Sequence, residues 1–253
     1  MGEGESAPNH LVYERVRNNV IALLEGRPDA AGLPVPACPE WTVLDLVGHL
    51  VDICGLATRR LTGDGPDGEP RADPPPGDDA PRLARLLREW RESGARLDDL
   101  IAAQLNPATN VLVMDAFTHE LDLREALRAA SGPGVAPGPG VAAVDGHPAY
   151  PGVLGVVVGG SSGEVRKRGL PALEITTPGA SWSTGGDRPS AKLTAPNPHD
   201  LLRSLTGRRT VEQIAALEWS ADPAPWLPAF AWGPFTPPER PVEKAADSVR
   251  AGQ

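Results

Sequence analysis

Two histidines stand in segments whose apolar residues follow a helical period, and a carboxylate accompanies one of them. Asp115 and His119 are four residues apart, so they occupy adjacent turns on one face of a helix. His49 flanks the apolar stripe of an earlier helix. If both faces point into a helical bundle, two imidazoles and one carboxylate meet at one interior point. Three protein donors with an open position are typical of a catalytic metal site, and this set suits Zn²⁺, with Fe, Ni or Mn as alternatives.

The same residues are open to a simpler interpretation. With 33 acidic residues and five histidines, an acid four residues before a histidine arises readily by chance. Asp45 and His49 show the same spacing, and there Asp45 is expected to cap its helix. His49 and His119 would then be core histidines whose ring nitrogens are satisfied by hydrogen bonds. Spacing alone leaves both a metal site and a hydrogen-bonded core as alternatives.

The chain has only two cysteines, Cys38 and Cys54, which excludes a disulfide scaffold and a Cys-rich zinc module. Cys54 lies on an apolar helical stripe and is expected to be inert core. Cys38 lies in a proline-rich turn without a neighbouring cation, so neither cysteine is predicted to be a nucleophile. The remaining histidines flank turns or helix starts and are expected at the surface: His10, His147 and His199.

The first half of the chain has the pattern of four helices, at 9–26, 42–61, 81–104 and 108–129. In each segment the apolar residues recur at spacings of three and four. Four helices of this length joined by loops predict a four-helix bundle. Trp41 opens the second helix and is expected to plug the end of the bundle, with a role as a wall of the substrate site as the alternative.

The glycine- and proline-rich segment SGPGVAPGPG, at 131–140, predicts a linker between two domains, 1–130 and 141–253. Beyond it, four short runs have β-type composition: VLGVVVGG (153–160), ALEITT (172–177), SWST (181–184) and AKLT (191–194). Two short helices are predicted to follow, at 197–206 and 210–217. The second half is therefore predicted to be a small α+β domain.

Composition and charge restrict the partners. The net charge is −9, and the longest basic run is RKR at 166–168, so nucleic acid is not an expected partner. The N-terminal residues have neither a basic nor an apolar signal region, and no segment approaches 18 uninterrupted apolar residues. We expect a cytoplasmic protein without a membrane partner, as a monomer or small homo-oligomer.

Three motifs and the tail carry a resemblance to a known family. VPACPEWTVLDLVGHL, at 35–50, and MDAFTHELDLREAL, at 114–127, resemble the first and second motifs of the mycothiol-dependent maleylpyruvate isomerase family, the second containing a His-x-x-Asp pattern. DLLRSLTGRR, at 200–209, resembles the C-terminal motif of that family, and WLPAFAWGPFTPPERPVE, at 226–243, is similar to its tail. The resemblance spans nearly the whole chain.

The resemblance implies a DinB-like metal-binding four-helix bundle followed by a domain similar to sterol carrier proteins. It also implies metal ligation by His49, the residue at 115 and His119. The isomerase pattern has Glu where Asp115 stands, so the shorter carboxylate must approach the ion more closely or bind through water. Arg208 matches the C-terminal arginine that lies near the active site of the family, and a guanidinium suits a substrate carboxylate. In the sequence alone, Arg208 and Arg209 could equally end a helix and offset its dipole.

The function implied is that of an enzyme that depends on a divalent metal, Zn²⁺ first, and on mycothiol. The metal would activate the thiol for addition to a small electrophilic substrate bearing a carboxylate, and the outcome would be either cis–trans isomerisation or thiol S-transfer. Asp122, Trp41 and Arg209 are further candidates for the site. The alternative is a non-catalytic protein that binds a small molecule and uses the metal to stabilise its bundle.

Overall fold

The computed structural model describes residues 7–64, 79–104, 106–131, 146–185 and 188–243. The chain separates into two compact units, Met1–Val144 and Asp145–Gln253. Apart from Ser131, the segment predicted as a linker lies outside the described residues. Over the part of the chain that is described, no helix is long and apolar enough to cross a membrane.

The first unit contains the four predicted helices, with ends within a few residues of the prediction. They are α1 (Asn9–Leu24), α2 (Val43–Thr62), α3 (Asp79–Ala103) and α4 (Ala108–Ala130). A short antiparallel hairpin, β1 (Pro34–Val35) and β2 (Cys38–Thr42), comes between α1 and α2. The helices α1 and α2 each pack against both α3 and α4, and β1 packs against α4.

Apolar residues at helical spacing form the core of this unit. On α4, Leu112, Ala116, Leu123 and Leu127 are all buried, as the periodicity predicts. On α1, Val12 and Val16 are buried, whereas Leu11 lies at the edge of their apolar stripe and is half exposed. Trp90 of α3 is fully buried, and its ring nitrogen donates a hydrogen bond to the Tyr13 hydroxyl.

Hydrogen bonds at the junction between β2 and α2 define where α2 begins. The Thr42 side chain accepts a hydrogen bond from the Asp45 backbone N–H, and the Asp45 carboxylate accepts one from the Thr42 backbone N–H. This reciprocal pair satisfies two backbone donors that would otherwise lack partners at the start of the helix. It confirms Asp45 as a cap, and it sets Trp41 at the end of β2 directly before the first turns of α2.

The second unit combines helices with a small mixed sheet. Its helices are α5 (Tyr150–Lys167), α6 (Pro198–Leu205) and α7 (Val211–Ala215). Its strands are β3 (Leu173–Thr177), β4 (Ala180–Ser183), β5 (Ala191–Thr194) and β6 (Glu218–Trp219). The strand order is β4-β3-β5-β6, in which β3 pairs parallel with β5 and the other pairs are antiparallel. This is an α+β unit; its similarity to sterol carrier proteins stays a prediction.

One predicted strand is wrong. The run VLGVVVGG, at 153–160, lies inside α5 and is not β. The buried residues of this helix recur at spacings of three and four on one face: Val153, Leu154, Val157, Val158, Ser161, Ser162 and Val165. Short apolar runs that contain valine and glycine have the composition of a strand, but only the longer helical period distinguishes the two structures.

Candidate metal centre

His49, Asp115 and His119 lie together in the first unit. His49 Nε2 is 3.3 Å from Asp115 Oδ2, and His119 Nε2 is 3.7 Å from Asp115 Oδ1. One donor atom from each residue lies within 4.8 Å of the other two. Donors held about 2.1 Å from a tetrahedral ion are roughly 3.4 Å apart. These separations therefore suit a small divalent ion between the three side chains.

The two helices that carry these residues determine the arrangement. Asp115 and His119 lie one turn apart on α4, and His49 lies on α2, which packs against α4. The side chains of His49 and Asp115 are 27% and 28% exposed, whereas His119 is 10% exposed. The cluster thus has an inner side at His119 and an outer side that solvent or a small molecule can reach.

Asp122 holds the inner histidine in position. Its side chain is fully buried, and its Oδ2 is 3.0 Å from His119 Nδ1. Because an ionised carboxylate can only accept, this bond requires a proton on Nδ1, and in a neutral ring Nε2 is then left to bind an ion. A carboxylate that holds the non-ligating nitrogen of a histidine is a common feature of metal sites, where it fixes the ring and increases its basicity.

Trp41 contacts both histidines. Its ring centroid is 5.0 Å from that of His49 and 5.7 Å from that of His119, with both pairs of planes tilted. The two imidazole rings themselves meet edge to face at 5.0 Å. Trp41 is half-buried and therefore forms an apolar wall beside the cluster. Both roles expected from the sequence, a plug at the end of the bundle and a wall of the substrate site, stay predictions.

Cys38 lies in this region, although the sequence does not predict it as a site residue. It is half-buried at the start of β2, and its sulfur belongs to a second group of candidate donors with His119 and Asp122, all within 4.8 Å of one another. The register of the hairpin pairs Val35 with Cys38, and this register brings the thiol near α4. The spacing of residues along the chain contains no signal for this contact, because it depends on how the hairpin packs.

Arg208 and Arg209 lie in the second unit, just after α6. Arg208 is 7% exposed; it donates to the Thr206 carbonyl, and its guanidinium carbon is 5.9 Å from the centre of the Phe235 ring. Arg209 is 2% exposed and forms ion pairs with Asp200, at 2.8 Å, and with Glu243. The Arg209 guanidinium is thus held by two internal acids, while the substrate role of Arg208 stays a prediction.

A buried charge network in this unit was not anticipated from the sequence. Arg203 is fully buried and binds both oxygens of Glu243, at 2.7 and 2.8 Å. Burial raises the pKa of Glu243, but the guanidinium groups of Arg203 and Arg209 more than offset this and hold it below its ordinary value. The pairing joins residues 40 positions apart, and no local motif predicts it.

Two histidines expected at the surface are not there. His147 is buried, and its Nδ1 accepts a hydrogen bond from the Ala149 backbone N–H. His199 is half-buried, with Nδ1 3.3 Å from the Tyr150 hydroxyl. Burial, together with the nearby Arg203, lowers the pKa of His199 to about 4. His199 lies in the first turn of α6 and His147 lies shortly before α5, but both positions are packed against other parts of the unit and are not at the surface.

Comparison with known proteins adds one family match. No curated protein and no solved structure matches the chain. The model of the DinB superfamily matches residues 13–131, a stretch that holds His49, Asp115 and His119. This agrees with the DinB-like part of the resemblance. The helical region of the first unit is therefore similar to the DinB superfamily.

Proposed function

We propose that His49, Asp115 and His119 bind one divalent ion, Zn²⁺ first, and that the chain is an enzyme that uses this ion to activate the thiol of mycothiol. The observation that carries the proposal is the convergence of two imidazole nitrogens on the two oxygens of Asp115. The match of residues 13–131 to the DinB superfamily supports it, because the DinB-like bundles implied by the resemblance bind metal.

The donor set fits the proposed ion. Two neutral imidazoles and a carboxylate are ordinary ligands of Zn²⁺, and three protein donors leave a fourth position open. Asp115 stands where the isomerase pattern has Glu, yet both of its oxygens already lie within 4 Å of a histidine nitrogen. The shorter side chain thus still reaches the two histidines, which supports direct ligation.

When bound, a divalent ion lowers the pKa of a thiol at its open position, so that a thiolate is present at neutral pH. The chain's own residues would prepare that position. Asp122 would accept a hydrogen bond from His119 Nδ1 and so leave Nε2 as the ligand of the ion. The Trp41 ring shields one side of the cluster from water, which strengthens charge interactions inside it.

Arg208 is proposed to bind a carboxylate of the substrate. A guanidinium can bind a carboxylate through two parallel hydrogen bonds, a geometry that Lys does not reproduce. Release of the thiol after its addition would give cis–trans isomerisation, and its retention in the product would give S-transfer. Arg208→Lys is therefore expected to raise KM or lower kcat before it changes stability. Unchanged kinetics in this variant would remove Arg208 from the proposal.

The test combines metal content, bound thiol and turnover. We expect about one divalent ion per purified chain, a low-molecular-weight thiol detectable by mass spectrometry, and turnover that requires mycothiol. His119→Ala should lose the ion and the turnover while it keeps a cooperative melting transition, because the Leu and Val core of the unit remains. His10→Ala, the same change on α1 outside the cluster, should keep both.

Two outcomes would overturn parts of this assignment. Thiol-dependent turnover in folded, metal-free His119→Ala would mean that the ion is not catalytic. A metal-loaded wild-type protein without thiol-dependent turnover, but with a bound apolar ligand, would instead support the non-catalytic binding protein.

A further inference from the structure

Three different donor types surround the inner face of His119. The Cys38 sulfur, a His119 ring nitrogen and an Asp122 oxygen all lie within 4.8 Å of one another. Asp122 and His119 are buried, and Cys38 is half-buried. This group shares only His119 with the cluster of His49 and Asp115. It contains the one sulfur donor among the candidate metal ligands of the described residues.

We propose that Cys38, His119 and Asp122 form a second cation position, next to the first, that binds a thiophilic divalent ion. A thiolate favours soft and borderline ions, whereas the first position offers only nitrogen and oxygen donors. Three protein donors leave the fourth place of a tetrahedral ion for a further ligand, so the second position is of the open kind. This inference goes beyond the proposed function and does not depend on it.

The two positions share His119 as a ligand. At the second position its neighbour is Asp122, whose Oδ2 lies 3.0 Å from His119 Nδ1, so an ion bound there takes the place of that hydrogen bond. The other members of the two donor groups differ, Cys38 and Asp122 against His49 and Asp115, so substitutions can address each position separately. Each ion bound at the second position also releases the thiol proton of Cys38 to solvent.

The experiment is a titration of the full-length, chelator-treated protein with Cd²⁺. A bond between sulfur and Cd²⁺ gives a charge-transfer absorption in the ultraviolet, which nitrogen and oxygen ligands do not give. We expect this absorption to appear and to saturate in the wild type. Cys38→Ser should abolish the absorption.

Cys54→Ala is the matched control. Cys54 is buried on α2, is hydrogen-bonded to Ser93 and belongs to neither candidate donor group, so this variant should keep the full absorption. His49→Ala should also keep it, because only the first position needs His49. Melting curves accompany each variant, and His49→Gln replaces His49→Ala if the latter does not fold.

Several results would overturn the proposal. Absence of the absorption in the wild type, or its persistence in Cys38→Ser, would mean that Cys38 is not a ligand. Its loss in both folded His49 variants would mean one shared position in place of two. The Cd²⁺ absorption does not depend on enzymatic turnover. Absence of thiol-dependent turnover would therefore contradict the proposed function without contradicting the second cation position.

Discussion

His119 lies between two carboxylates, one at each ring nitrogen, and their environments differ. Asp122 is fully buried at Nδ1, whereas the Asp115 side chain is 28% exposed and lies near Nε2. A buried carboxylate is costly unless its oxygens are hydrogen-bonded, so the Asp122–His119 bond is a strong local constraint. The ring is therefore held from its inner side, and the outer nitrogen is available for ligation.

We predict that Asp122→Asn weakens binding of Zn²⁺ by about 10–100-fold, because the ring loses its charged hydrogen-bond acceptor. The measurement is a competition titration against a chelating dye. Asp99→Asn makes the same change at an exposed position on α3 and should leave the affinity unchanged. Equal affinities in the wild type and Asp122→Asn would show that Asp122 does not position the ligand.

Part of this site could be predicted from the sequence. The four-residue spacing of Asp115 and His119 places both on one face of α4, and the period of α2 places His49 toward the same interior. The position of Cys38 could not be predicted, because it depends on the register of a hairpin and on the packing of that hairpin against α4. Helical spacing relates residues within an element, while contacts between elements follow from packing.

At the scale of the element, α5 shows how two adjacent glycines can differ. A Cβ at Gly160 would lie 2.1 Å from the Trp232 ring, whereas a Cβ at Gly159 would meet nothing within 4 Å. The Trp232 indole N–H donates to the Leu205 carbonyl at 2.8 Å. Gly160 therefore provides the space in which the C-terminal segment packs on α5 and α6.

We predict opposite effects of the same substitution at these two glycines. Gly160→Ala should lower the free energy of unfolding by about 1–3 kcal/mol, because Trp232 must move. Gly159→Ala should raise it by up to about 1 kcal/mol, because alanine favours the helix more than glycine. Denaturant unfolding of both variants gives the comparison. Equal effects would mean that Trp232 does not pack against Gly160 as described.

The helices of the first unit were predictable because each shows a sustained period, and α2 adds a capping box that marks its start. The predicted strand at 153–160 failed because valine and glycine favour strand composition over a short window. The runs at 172–177 and 191–194 were correct, and they correspond to β3 and β5. Their parallel pairing was not evident, since register and strand order arise from tertiary contacts.

At the scale of the whole chain, a residue near the end of the described chain forms buried ion pairs with the second unit. Glu243 is 8% exposed and binds Arg203 and Arg209, which lie at least 34 residues earlier. Removal of one charge from a buried network leaves its partners desolvated and uncompensated. The buried ion pairs of Glu243 are therefore expected to stabilise the unit.

We predict that Glu243→Gln lowers the free energy of unfolding by about 3–5 kcal/mol, the range typical of a broken buried ion pair. Glu239→Gln removes a negative charge at an exposed position in the same segment. It should change the free energy of unfolding by less than about 0.5 kcal/mol. Urea unfolding of the two variants tests this. Similar stabilities would show that Glu243 is not a structural partner of the two arginines.

The pH dependence of stability should carry a contribution from His199. Its pKa is lowered to about 4, first by burial and then by the charge of Arg203, whereas an unfolded histidine titrates near 6.5. Between these values the unfolded chain binds more protons at this residue than the folded chain, so stability falls as the pH falls from about 6.5 toward 4.

We predict that acidification from pH 7.5 to pH 5 removes about 1–2 kcal/mol of unfolding free energy through His199 alone. His199→Gln cannot take up that proton in either state, so its stability should decrease less over the same range. His10→Gln, a change on the first turn of α1, serves as the comparison, and all proteins are treated with chelator so that metal release does not contribute. The readout is the difference between the two pH values, taken from urea unfolding of each protein. If His199→Gln and His10→Gln lose equal stability on acidification, the folded chain does not exclude the proton from His199.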